Sequence, residues 1–113
     1  MNTALHIAAK RNNKDVAEVL CSYKADVKWK NNSNFTPLHI AAMCGSTSVV
    51  KVLCNFKADC NTRDLNNLTP LHYAANFSSK ECAVILCTNG ADTNAKTKYD
   101  WTPLHYAVKN NNR

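Results

Sequence analysis

The chain has 113 residues, of which 45% are hydrophobic, and it carries a formal net charge of +6 at pH 7. This length is enough for one small domain and too short for two independent hydrophobic cores. No segment approaches the roughly eighteen apolar residues of a membrane span, and no basic segment followed by an apolar run marks a signal peptide. We therefore expect a soluble domain without a targeting segment.

One heptapeptide, TPLHIAA at residues 36–42, recurs almost unchanged along the chain. Near-copies begin at Thr3, Thr69 and Thr102, so the copies recur with a constant 33-residue period. A period of this length is typical of a solenoid, in which each unit is one supersecondary element that cannot bury its apolar face alone. The expected organisation is a single domain over residues 1–113, with repeats at about 3–35, 36–68 and 69–101 and a partial repeat at 102–113.

Each copy of the motif is suited to the start of a helix. Threonine accepts a backbone N–H as an N-cap, proline fits the first helical position, and the Ala-Ala pair lets another helix approach closely. One histidine occurs per unit at the same helical position, with no cysteine or carboxylate at ligand spacing beside it. This pattern favours a repeated hydrogen-bonding role near the cap over a metal site. The four histidines are His6, His39, His72 and His105.

A second helix is predicted in each unit after a short turn. In the first unit we expect helices up to about Lys10 and from about Asn13 to Tyr23. Asn13, Ser46 and Ser79 share one register and are all N-cap types, which predicts that the second helix is capped alike in every unit. An i, i+3, i+4 spacing marks its buried face. The apolar stripe comprises Val16, Val19, Leu20, Val49, Val52, Leu53, Cys82, Ile85 and Leu86.

The chain has six cysteines, and we expect all of them to be free thiols. Cys21, Cys54 and Cys87 lie one period apart in one apolar slot of the second helices, where reduced core residues are commoner than disulfides. No CxxC pair is present, which argues against a zinc knuckle or a redox motif. Glycosylation patterns point to secretion, but two of them would use the capping residues Thr36 and Thr69, so we predict an intracellular, cytoplasmic protein. These patterns begin at Asn31, Asn34, Asn67 and Asn76.

Each second helix is followed by an Ala-Asp step and a polar, Asn-rich connection to the next Thr-Pro-Leu-His. The steps occupy residues 24–26, 57–59 and 90–92, and the last reads Gly90-Ala91-Asp92. Together with the constant period and the Val/Leu stripe, these features resemble the ankyrin repeat over essentially the whole chain. The resemblance implies a mostly α fold, an ankyrin-repeat solenoid of helix-turn-helix units joined by β-hairpin fingers.

Several glycines that this family usually carries are replaced. Asn34, Asn67 and Asp100 stand at the finger turn, and these residue types tolerate positive φ better than most. Lys24 and Lys57 replace the glycine that ends the second helix, at a cost of about 1 kcal/mol each if those residues are left-handed. Neither end of the chain shows a dedicated capping repeat, so we expect the units to belong to a longer array.

No arrangement of residues predicts catalysis. The serines, cysteines, histidines and acidic residues mostly recur in structural register, and the two glycines, Gly45 and Gly90, are too far apart for a phosphate-binding loop. We therefore expect no enzyme activity, no cofactor and no metal. The resemblance implies a monomeric protein-interaction module that binds another protein through its fingers and the concave face of its first helices.

Two other functions stay open at this point. The basic balance, with a pI near 9.1, would suit an anion-binding surface for nucleic acid or acidic lipid. The lysines are scattered over all units, however, which argues against a nucleic-acid partner. The units would alternatively be architectural spacers in a longer array, a role that requires no partner.

The residue before each motif threonine is large and apolar, since Phe35, Leu68 and Trp101 lie one period apart. Stacked units repeat at about 8–10 Å, so we expect these side chains to form a ladder along one edge. Large apolar side chains on an accessible groove are enriched at interface centres, although the same residues would also serve to pack neighbouring fingers. The predicted partner-binding residues are Phe35, Met43, Cys44, Leu65, Asn66, Leu68, Asn76, Phe77, Lys98, Tyr99 and Trp101.

A modification is also implied by the resemblance. In this family an asparagine after Ala-Asp-x can be a substrate of an asparaginyl hydroxylase that favours a leucine eight residues upstream. Asn61 with Leu53, and Asn94 with Leu86, match that pattern. The simpler interpretation is that both asparagines brace the fingers.

Overall fold

The structure, a computed structural model, describes residues 1–111. This part of the chain folds into α1 (Ala4–Arg11), α2 (Lys14–Ser22), α3 (Pro37–Cys44), α4 (Thr47–Asn55), α5 (Pro70–Asn76), α6 (Lys80–Thr88) and α7 (Pro103–Asn111). The odd-numbered helices pack side by side in one row, the even-numbered helices form a second row, and the two helices of each full unit pack on each other. The predicted helix-turn-helix solenoid is confirmed.

The first helix of each unit begins at the threonine of the repeated motif. In α3 the backbone N–H of Thr36 donates to Nδ1 of His39 at 3.1 Å, while the His39 N–H donates back to Thr36 Oγ1 at 3.3 Å. The equivalent N–H to ring bond is 3.0–3.1 Å long in the other three units. The predicted hydrogen-bonding role of the histidines near the cap is confirmed.

The second helices begin where predicted, but their caps differ. The side chain of Asn13 accepts the backbone N–H of Val16 at 3.3 Å, whereas Ser46 and Ser79 hold the N-cap position without a side-chain cap bond. The ψ angles of all three caps, 71–87°, fall far short of the 171° at the Thr3 cap. At such angles the short serine hydroxyl does not reach the helix, so the prediction of identical caps is wrong for the two serines.

The predicted apolar stripe is buried in the middle second helix, and Cys82 and Leu86 of α6 are buried as well, but part of it is exposed in the first. In α4, Val49 and Leu53 are fully buried and Val52 is 4% exposed. In α2, by contrast, Val16 is 43% and Val19 56% exposed. The stripe prediction is therefore wrong for these two valines. In α4 one side is covered by the preceding second helix, α2, whereas no helix among the described residues covers the same side of α2.

The fingers are not the β-hairpins that the resemblance implied. We define fingers 1, 2 and 3 as residues 27–35, 60–68 and 93–101. Residues 1–111 contain no β-strand. Each finger instead closes with one turn, in which the Asn31 N–H donates to the Phe35 carbonyl at 3.0 Å in finger 1. The Asn31 side chain accepts the amides of Ser33 and Phe35 at 2.9 and 3.0 Å, and Asp64 and Thr97 do the same in their fingers. Side-chain oxygens thus take the amides that a strand ladder would use.

Left-handed backbone occurs at the positions where the family usually has glycine. Asn34, Asn67 and Asp100 have φ between 61° and 63°, so these residue types accept the turn as predicted. Lys24 and Lys57, at φ 69° and 67°, are left-handed as well. Because a side chain in this region crowds the following carbonyl, both lysines are strained positions.

We expect the substitution Lys57→Gly to stabilise the fold by about 1 kcal/mol, because glycine adopts this φ without the steric penalty. Lys51→Gly is the matched control, since Lys51 lies in the interior of α4, where glycine destabilises by about 1 kcal/mol. Chemical denaturation of both variants measures the difference. Destabilisation by both substitutions would show that the conformation of Lys57 is not a source of strain.

All six cysteines are free in the structure. The three in the shared slot differ in burial, since Cys21 is buried, Cys54 is half-buried and Cys87 is exposed. The prediction of a core position is therefore wrong for Cys87. Cys87 lies on α6, the last second helix among the described residues.

Candidate functional site

The fingers are attached to the first helices by the motif histidines. Nε2 of His6, His39 and His72 lies 2.8, 2.9 and 3.1 Å from the carbonyl oxygens of Phe35, Leu68 and Trp101. Each histidine thus bonds to the finger residue that precedes the next unit. Since Nδ1 accepts a threonine N–H, Nε2 carries the proton and donates it to this carbonyl.

The local environment keeps these histidines neutral. Burial lowers the pKa of His39 to about 4, although the bond to the Leu68 carbonyl acts in the opposite direction. Burial also lowers the pKa of His6 and of His72. A proton on Nδ1 would face the threonine N–H that now donates to it, so the charged form also breaks the cap. The three histidines are therefore positioning groups for the fingers.

Aromatic rings connect the fingers to the exposed side of the first helices. The rings of Phe35 and Tyr73 meet edge to face at 5.7 Å between centroids. The Tyr73 hydroxyl donates to the carboxylate of Asp64 in finger 2, and burial raises the pKa of this tyrosine. In the next unit Trp101 packs on Tyr106 at 5.0 Å. Phe35 and Trp101 are therefore held by ring contacts while each remains partly exposed.

A shallow cavity of about 280 Å³ lies at the last finger, lined by Tyr99, Trp101, Tyr106 and Lys109. The ammonium of Lys109 is 5.8 Å from the ring centroid of Trp101, within the range of a cation–π contact. Tyr99 is 73% exposed. Residues of finger 3 and of α7 therefore line the same accessible cavity.

We call this surface the finger face; it consists of the three fingers and the exposed side of α1, α3, α5 and α7. All of the predicted partner-binding residues are found in these elements or at their ends. The half-buried ones are Phe35, Met43, Leu68, Asn76 and Trp101, and the exposed ones are Cys44, Leu65, Asn66, Phe77, Lys98 and Tyr99. The structure brings Tyr99 and Trp101 together in one cavity, and joins finger 2 to finger 3 through a 3.0 Å bond from the Lys98 N–H to the Asn66 carbonyl.

Sequence reasoning missed three aromatic or cationic residues of the first helices that complete the finger face. Tyr73, Tyr106 and Lys109 contact finger residues or line the last cavity. Tyr73 and Tyr106 lie one period apart in the register of Ile7 and Ile40. The 33-residue period, which led to the prediction of Phe35, Leu68 and Trp101, would also have identified this register as a candidate.

A second missed feature is a line of cations across the fingers. Lys30, Arg63 and Lys96 occupy one register. Lys30 Nζ donates to the Arg63 carbonyl at 3.0 Å, and the Arg63 guanidinium donates to the Lys96 carbonyl at 2.9 Å. We call these three residues the cation ladder. Three of the basic residues of the fingers are therefore aligned from unit to unit, a regularity that their scatter along the sequence concealed.

Asn61, one of the two asparagines that match the hydroxylation pattern, connects neighbouring units. Its amide donates to the Gly90 carbonyl at 3.1 Å, and its side-chain oxygen accepts the Asp92 N–H at 2.7 Å. In Asn94 the backbone N–H donates to the Asp92 side chain at 2.9 Å. These contacts support the bracing role of Asn61.

The part of the chain that the structure describes contains neither a metal-ligand cluster nor a membrane-spanning helix. Among residues 1–111, no group of three or more histidine, cysteine or acidic residues is arranged to hold a metal ion. None of the helices in this range is both long and apolar enough to cross a membrane.

Two rows of short helices, histidine-held fingers and a 33-residue period define a helical repeat protein with one accessible finger face. The family model for ankyrin repeats in three copies matches residues 1–64 and 56–113. The chain therefore belongs to the ankyrin-repeat family, whose members are generally non-catalytic protein-interaction modules. A comparison with curated proteins gives no significant match.

Proposed function

We propose that this chain binds another protein through the finger face. The observation that carries the proposal is the row of anchored but accessible large side chains at the finger ends, Phe35, Leu68 and Trp101, each half-buried. Two further apolar side chains are exposed, Leu65 in finger 2 at 61% and Phe77 at the C-cap of α5 at 53%. Large apolar and aromatic side chains held in a fixed geometry are the groups that dominate binding energy at protein interfaces.

The alternatives have less support from the geometry. Spacer repeats require no exposed aromatic groups at the finger ends, yet Tyr99 is 73% exposed beside Trp101. A purely anionic ligand would not use the exposed apolar side chains of the fingers. A protein surface, which offers both apolar and charged groups, matches both features.

Alanine substitution on the finger face should strongly reduce partner capture. With the immobilised protein as bait in an extract of its native cells, we expect each of Trp101→Ala and Tyr99→Ala to reduce captured protein about thirtyfold, the loss of a hot spot of about 2 kcal/mol. Quantitative mass spectrometry of the bound fraction measures this. The control is Val84→Ala, because Val84 is 55% exposed on the second-helix side of the array.

The fold of each variant is checked by its unfolding midpoint. Trp101 packs on Tyr106, so its removal also loosens α7, whereas the exposed ring of Tyr99 makes the cleaner test. If folded Tyr99→Ala and Trp101→Ala variants capture as much protein as the unmodified chain, the finger face is not the binding surface. Loss of capture in Val84→Ala alone would move the site to the second helices.

A further inference from the structure

We propose that the finger face binds an acidic, extended polypeptide segment, with the cation ladder facing its carboxylates. This inference rests on the proposed function, because it specifies the chemistry of the partner that the same surface takes. Its basis is the separation of charge between the two sides of the array together with the spacing of the ladder.

The positive charge of the protein is concentrated on the finger face. The fingers contain Lys28, Lys30, Arg63, Lys96 and Lys98, and the first helices add Lys10, Arg11 and Lys109. The same segments contain only two acidic residues, Asp64 and Asp100. Asp64 is 6% exposed and accepts hydrogen bonds from the Tyr73 hydroxyl and from backbone amides, so it offers little negative charge to a ligand.

The other side of the array is close to neutral. The second helices contain three lysines and three acidic residues, and the Ala-Asp steps that lead from them into the fingers add two lysines and three aspartates. The excess positive charge of the described residues therefore belongs to the fingers and first helices. A surface with this asymmetry attracts acidic partners and orients them toward one side of the protein.

The ladder sits beside a groove that a peptide would fit. A cavity of about 320 Å³ between fingers 1 and 2 is lined by Lys28, Lys30 and Arg63, with Asp59 as its one carboxylate. The hydrogen bonds from Lys30 and Arg63 to neighbouring carbonyls fix where these charges stand. The groove is thus a preorganised, mainly cationic concavity.

The spacing of the ladder matches an extended peptide. Consecutive cations are one repeat apart, and packed helices are separated by about 8–10 Å. A polyproline II segment advances about 3.1 Å per residue with three residues per turn, so every third side chain recurs on one face after about 9 Å. An acidic residue at every third position would therefore meet one cation of the ladder in each unit.

A peptide fits this surface better than a nucleic acid. A nucleic-acid strand carries a phosphate at every nucleotide, whereas the ladder offers one cation per repeat. The same fingers also expose Leu65, Asn66 and Tyr99, which are suited to apolar and amide side chains of a peptide. The geometry points to a segment in which acidic and apolar residues alternate in a short period.

The test uses a fluorescent peptide made of Leu-Glu-Glu repeats, with a Leu-Gln-Gln peptide of equal length as the uncharged comparison. We expect the acidic peptide to bind at least about tenfold more tightly and to weaken as salt is raised. The triple variant Lys30→Gln, Arg63→Gln, Lys96→Gln removes the charges and keeps side-chain hydrogen-bond donors, so it should bind the acidic peptide about tenfold more weakly. The matched control, Lys14→Gln, Lys51→Gln, Lys80→Gln, changes three lysines of the second helices and should bind normally.

Equal affinity for the two peptides, or equal weakening in the two triple variants, would overturn the proposal. Tighter binding to a thymidine oligonucleotide or to phosphatidylserine vesicles than to the acidic peptide would also overturn it. Capture from native cells separates the two proposals. If Tyr99→Ala loses the captured protein while the ladder variant keeps it, the finger face binds a partner whose chemistry is not acidic; if both keep it, both proposals fail.

Discussion

Replacing Leu53 by alanine should lower the free energy of unfolding by about 2–5 kcal/mol, the range for a fully buried leucine. Leu53 is 0% exposed on α4, which has second helices on both sides. Leu20→Ala in the same register of α2 should cost clearly less, because Leu20 is only half-buried. Truncation at a site that is already partly open to water leaves a smaller cavity and removes less buried surface.

Chemical denaturation of the two leucine variants gives the comparison directly. The m-value should stay constant, so that the change in midpoint reports stability and not a change in the unfolded chain. Equal losses at the two positions would contradict a core that is best packed in the middle of the array. A large loss at Leu20 alone would place the centre of stability in the first unit.

Acid should destabilise this protein in a defined pH window. The pKa of His39 is lowered from 6.5 to about 4 in the folded state, so the unfolded chain binds more protons between these values. Stability is therefore complete above about pH 6.5 and falls as the pH decreases toward 4, by about 3 kcal/mol for this group alone. The lowered pKa values of His6 and His72 act in the same direction.

The free energy of unfolding measured from pH 8 to pH 4 tests this expectation. His39→Gln keeps a donor and an acceptor but removes the titration, so its stability should fall less steeply below pH 6.5. His105→Gln is the control, since His105 has the same register on α7 but is exposed. If the free energy of unfolding of the His39→Gln variant falls with pH as steeply as that of the unmodified protein, the buried neutral His39 is not the cause of the acid destabilisation.

The parts of the structure that could be predicted from sequence are those set by local chemistry. The Thr-x-x-His cap needs only residues three apart, so its four copies located every first helix. The left-handed turn at Asn34 and its equivalents also followed from residue type. In both cases the residues that decide the conformation are close together in the chain.

What could not be predicted depends on neighbours in space. Val16 and Val49 occupy one register and look alike in sequence, yet only Val49 has a second helix packed against it from the preceding unit. The cation ladder was missed because Lys30, Arg63 and Lys96 belong to different units and differ in type. Its alignment becomes visible only when the fingers are stacked, with Lys30 and Arg63 each bonded to the carbonyl of the next ladder residue.

The most direct test of binding through the finger face compares two exposed tyrosines. Tyr99 is 73% exposed on finger 3, and Tyr23 is 84% exposed at the end of α2. A photo-crosslinking amino acid placed at either position in native cells reports which surface touches a partner. We predict a discrete protein adduct from position 99 and none from position 23, whereas an adduct only at position 23 would contradict binding through the fingers.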